Sequence, residues 1–148
     1  MQLHERIREL VQRELPSLTA LRRELHQQPE VGYEEVRTAE RIRKELDAAG
    51  VRHADGLAGG TGTLAHLPGG NPGDAAIALR TDIDALPMED HGDQPWKSRV
   101  PGRAHACGHD GHTTIAIGAA RVLAALAKEH PLPNPVTLLF QPAEEGGN

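Results

Sequence analysis

Two short apolar runs, Ala75-Ala76-Ile77-Ala78-Leu79 and Val136-Thr137-Leu138-Leu139-Phe140, bracket a stretch from Thr113 to Lys128 rich in Ala, Ile, Leu and Val. A helix that is apolar on nearly every side is expected to be buried. The first run has the character of a strand covered on both faces, and the second that of another short buried strand. Upstream, Leu3, Ile7, Leu10 and Val11 keep helical spacing, as do Leu18, Leu21 and Leu25. Pro16 between the two sets is expected to end or kink the first helix, with Ser17 as cap of a second. Another helix is predicted over residues 34–49, with Glu34 and Glu35 at its positive end and Gly50 as its stop. Short β-type runs follow at Val51 to Ala54 and Gly62 to Leu67, before a turn-rich stretch over residues 68–74. Helices, strands, a buried helix and a strand, in that order, predict an α/β layered domain.

Several function classes fall away on composition. The formal net charge is −5, and a broad nucleic-acid surface needs clustered positive charge. No stretch approaches the roughly 20 apolar residues of a membrane span. The N-terminus lacks a signal-peptide apolar run, so a cytoplasmic location is the default expectation. The single cysteine cannot form an internal disulfide. The glycines at 56–62 lack the spacing of phosphate and dinucleotide loops and are read as a turn.

Chemistry concentrates in His105-Ala106-Cys107-Gly108-His109-Asp110-Gly111-His112, which holds the one cysteine and three of the nine histidines. If residues 105–109 are extended, His105, Cys107 and His109 share one face. Thiolate and neutral imidazole are ligands that zinc and its first-row neighbours prefer. In open α/β sheets, sites gather beyond the carboxyl ends of strands. Asp82 and Asp84 follow one predicted strand, and Glu144 and Glu145 follow another. One of the glutamates could bind metal while the other takes a proton from water. His26 and Glu30 are accounted for by a helix end and a turn. A cysteine hydrolase using Cys107 is a competing reading, but its neighbours are crowded and no oxyanion helix is evident.

Four ordered segments resemble a known family. They are Leu25-His26-Gln27-Gln28-Pro29-Glu30 with Gly32-Tyr33-Glu34-Glu35, Leu79-Arg80-Thr81-Asp82-Ile83-Asp84-Ala85-Leu86-Pro87, the stretch 105–112, and Phe140-Gln141-Pro142-Ala143-Glu144-Glu145-Gly146-Gly147. The chain is similar to the N-terminal part of the aminoacylase/carboxypeptidase-type metallopeptidases. The branch is the amidohydrolases that include hippurate hydrolase and the hydrolases of indole-acetyl-amino acids. The resemblance implies a zinc-peptidase-like fold in which a layered sheet is covered by helices. Residues 1–148 would be the N-terminal portion of the catalytic domain, without the lid or dimerisation domain. It implies hydrolysis of the amide of N-acyl amino acids at a site for two divalent transition-metal ions, zinc or manganese. By motif, Cys107, His109 and Glu145 would be metal ligands, Glu144 the general base and Asp84 the carboxylate that steadies the site. His105 and His112 receive no ligand role. A last strand without downstream neighbours would leave an open edge suited to homo-oligomer formation. A non-catalytic metal-binding or interaction module is the alternative.

Overall fold

The computed structural model describes residues 2–71 and 73–146. Helix α1 spans Leu3–Gln27, α2 Val36–Ala49 and α3 His109–Glu129; strands are β1 Arg52–Leu57, β2 Gly62–Leu67, β3 Ile77–Asp82 and β4 Val136–Gln141. The strands form one mixed sheet in the order β1-β2-β4-β3. β2 runs antiparallel to β1 and to β4, whereas β3 and β4 are parallel and joined through α3. The expected α/β layering is therefore present.

Alternation along β4 shows how the layers close. Val136, Leu138 and Phe140 are buried while Thr137, Leu139 and Gln141 are half-buried, the period-two pattern of a strand with one face on the core. That face meets Leu21 and Leu25 of α1, Ile42 and Leu46 of α2, and Ala116, Ile117 and Ala120 of α3 in one contiguous cluster. With few aromatics available, aliphatic side chains fill the space, and Phe140 is the largest fully buried one.

Four expectations are corrected. Pro16 does not divide α1, which runs through it. Pro16 and Gln12 are both exposed, so water can satisfy the Gln12 carbonyl, which loses its intrahelical donor. Leu10 on one side of the proline and Leu21 and Leu25 on the other are buried, which rewards a continuous rod. Among the described residues β3 is not covered on both faces; it lies at a sheet edge, with Ile77 57% and Leu79 39% exposed. β4, last in the chain, is not an edge but sits between β2 and β3. Nor is α3 buried all round: Ile115 is 69% exposed.

The start of α2 is made by an acidic side chain from outside it. The Glu30 carboxylate accepts hydrogen bonds from Arg37 N at 3.2 Å and Thr38 N at 2.8 Å, two amides that the helix leaves unpaired. Gly50, at φ 70°, ends α2 in the left-handed conformation that glycine adopts without steric penalty.

Candidate metal centre

Parallel pairing brings the carboxyl ends of β3 and β4 side by side, with Asp82 opposite Gln141. Asp82 and Asp84 leave one strand, and a short 3-10 turn, Glu144–Gly146, follows the other. The first residue of α3, His109, lies over both. Three segments distant in sequence thus meet at one end of the sheet, where α/β folds place their sites.

His109 is 3% exposed and firmly oriented. Its Nδ1 donates to the Asp84 carbonyl at 2.9 Å and lies 3.3 Å from Asp84 Oδ1. With the proton assigned to Nδ1, the Nε2 lone pair is free to bind a cation. Nε2 is 3.8 Å from Glu145 Oε1 and 3.9 Å from Glu144 Oε2. Ligand atoms of Cys107, His109 and Glu145 all lie within 4.8 Å of one another. Asp84, 1% exposed, also accepts the Glu145 amide proton on Oδ2 at 2.9 Å. One carboxylate therefore touches both the imidazole and the glutamate turn.

This donor set fits a divalent cation. Glu145 Oε1 is buried without a hydrogen-bond partner among the described residues. A buried acceptor left unpaired costs about 1–3 kcal/mol, which a cation beside a thiol and an imidazole would offset. The Glu145 carboxylate beside the thiol is the largest influence on Cys107 and pushes its pKa above the ordinary value. Desolvation and the negative charges of Glu144 and Asp84 add to the shift. An activated nucleophilic cysteine needs the opposite environment, an electropositive one that favours thiolate. The cysteine-hydrolase reading loses its basis accordingly.

The expected row of His105, Cys107 and His109 on one face does not form. Gly108 takes φ 94° and reverses the backbone immediately before α3, a conformation open to glycine. Cys107 is exposed while His105 turns inward to 4% exposure, with its ring 6.5 Å from that of His26. Both His105 nitrogens lack hydrogen-bond partners among the described residues, and burial pushes its pKa down to about 4. His26 itself bonds Asp110 at 2.6 Å, and Arg22 reaches the same carboxylate at 3.0 Å, tying α1 to the start of α3.

Two features escaped the sequence. Asp82 and His112 form a second group with His109, their ligand atoms also within 4.8 Å. Arg80 already bonds Asp82 Oδ1 at 2.7 Å, and the single Nε2 lone pair of His109 can serve only one group. Glu35 is fully buried and reaches the backbone just ahead of the Glu144-Glu145 pair. Its adjacency to exposed Glu34 gave no signal of this.

Comparison with known proteins gives a consistent picture. The peptidase family M20/M25/M40 matches residues 78–148. IAA-amino acid hydrolase ILR1-like 5 of Arabidopsis thaliana is 45% identical over 132 residues, covering 88% of this chain and 29% of that protein. Thermostable carboxypeptidase 1 of Saccharolobus solfataricus is 35% identical over 147 residues, 99% of this chain and 37% of its own length. Among solved structures, Bacillus subtilis YXEP, described as a dinuclear metal binding peptidase from the M20 family, superposes with a TM-score of 0.80. It is 38% identical, and the match covers 93% of this chain and 36% of that one. The chain thus spans about a third of the length of these relatives.

Proposed function

We propose, from the match of peptidase family M20/M25/M40 to residues 78–148, that this chain belongs with that family and carries part of the divalent-metal site of an amidohydrolase acting on N-acyl amino acids. Residues 1–148 are read as the N-terminal portion of the catalytic domain. The observation that carries the proposal is the convergence of Cys107, His109 and Glu145 within 4.8 Å, with Glu144 beside them. The 45% identity to an IAA-amino acid hydrolase supports an acyl-amino-acid amide as the substrate class.

Cys107, His109 and Glu145 would hold the cation, zinc or manganese. A divalent cation there supplies Lewis acidity, polarising a carbonyl and making water a stronger acid. The Asp84 backbone carbonyl fixes the tautomer and direction of His109, while its carboxylate lies against the ring and holds the Glu145 amide. Glu144, with 39% of its side chain exposed, faces the space above His109 Nε2. There its carboxylate can take a proton from attacking water and return it to the leaving amine.

The full-length protein should hydrolyse N-acyl amino acids, lose that activity to a chelator and regain it with zinc or manganese. Turnover that persists in a rigorously chelated sample would refute the proposal. Metal uptake without turnover on any N-acyl amino acid would assign the site to a non-catalytic role instead.

The raised Cys107 pKa sets the pH dependence of metal uptake. The ligand is the thiolate, so binding must displace the thiol proton. Because the thiol is held protonated at neutral pH, affinity should rise with pH and level off above the thiol pKa. With one proton released, the apparent association constant climbs about tenfold per pH unit from about pH 7 upward. Metal titrations at several pH values measure the slope, and Cys107→Ser should flatten it. A wild-type affinity that falls as pH rises would contradict the assignment of Cys107.

A further inference from the structure

We infer that Glu35 is a positioning residue for the metal centre: through the backbone of Ala143 it sets the direction of Glu144 and Glu145. The inference rests on the proposed role of those two glutamates. Glu35 precedes α2, yet its side chain is 0% exposed and points away from solvent. One carboxylate oxygen accepts the Ala143 amide proton at 2.9 Å. The other accepts the Thr61 hydroxyl at 3.0 Å, which fixes the carboxylate plane. A buried carboxylate so placed is a strong acceptor, and it spans 108 positions of sequence to reach one backbone amide.

That amide belongs to an unusual residue. Ala143 has φ 55°, in the left-handed region that L-residues with a Cβ avoid. The conformation turns the chain out of β4 so that the next two residues face His109. Gly32 makes the close approach possible, because a Cβ there would lie 3.0 Å from both Cα and Cβ of Ala143. On the far side, Asp84 holds the Glu145 amide at 2.9 Å. The glutamate pair is thus clamped by two buried carboxylates, one on the amide before it and one on its second residue. Without Glu35, only the Asp84 contact two residues further on opposes relaxation of Ala143 toward an ordinary φ.

Glu35→Ala, Glu35→Gln and wild type are compared in the full-length protein by two readouts. The first needs no metal: amide hydrogen exchange at Ala143 and Glu145. Glu35→Ala should speed exchange at both amides by at least about tenfold, the Glu145 amide responding although its acceptor is untouched. Glu35→Gln keeps an oxygen acceptor and should stay near wild type. The second is metal affinity at a temperature where all three proteins are folded, expected to fall about 10–100-fold in Glu35→Ala and to be restored in Glu35→Gln. Lower thermal stability with unchanged Glu145 exchange would reduce Glu35 to a structural residue and overturn the inference. If the wild type takes up no metal, the metal-centre reading fails by itself, and exchange at Glu145 still decides the role of Glu35.

Discussion

Glu144→Gln is expected to lower turnover by about 10²–10⁴-fold, the usual contribution of a general base, with metal occupancy unchanged. Glutamine keeps the size and reach of the side chain but cannot accept the proton. Glu144 approaches His109 Nε2 no closer than 3.9 Å, and its other oxygen is 4.0 Å from Arg80, so the amide should sit in the same place. Steady-state kinetics and metal content on the same preparation make the test. A turnover within threefold of wild type, on the order of 1 kcal/mol of barrier or less, would remove Glu144 from the chemistry. Loss of metal together with activity would make it a ligand. Its neighbour offers the contrast, since Glu145→Gln should lose metal first.

Asp84→Ala should damage both the fold and the site. The side chain is wholly buried and holds the Glu145 amide at 2.9 Å while lying against His109. Truncation leaves that amide without an acceptor, which costs about 1–3 kcal/mol. It also frees the Glu145 turn and removes the negative charge beside the imidazole, so metal affinity should drop about 10–100-fold, as when the outer partners of metal ligands are lost. Asp84→Asn separates the two effects. It keeps an oxygen for Glu145 and removes the charge, so it should spare most of the stability and still weaken metal binding. Urea unfolding of the metal-free proteins and metal titration of the folded ones give the two numbers. Metal affinity in Asp84→Ala equal to that of wild type would sink the assigned role.

Much of this site was legible because its chemistry is carried by rare residue types in fixed order. Cys107 and His109 stand out in a chain with one cysteine and nine histidines, whereas Asp84 and Glu145, two of 21 acidic residues, are marked only by their place in the family's motifs; the structure brings all four together. What the sequence concealed were consequences of distance and of backbone sign. Alternation predicted His105 on the face of Cys107, but the segment is no strand: the backbone bends at Cys107, and His105 turns inward while the thiol stays exposed. The apolar run ending at Leu79 signalled a strand correctly, yet burial depends on which strands flank it, and its partner β4 lies far downstream, beyond α3. Pro16 obeyed its local rule only until packing on both sides of it was counted. Glu35 was invisible for the same reason: its partner is a backbone amide, which leaves no mark in the composition of either segment.

Placing β4 between two strands made before it has a consequence for biosynthesis. As the polypeptide leaves the ribosome, β1 and β2 can close into a hairpin at once, but β3 has no sheet partner of its own until β4 emerges. Helix α3 must then wait beside an unfinished sheet until residues 136–141 slot between two strands made earlier. Such delayed, non-local closure is slow and exposes apolar surface to other molecules. Glu145, made after these four strands, would arrive beside His109 only once β4 has slotted in.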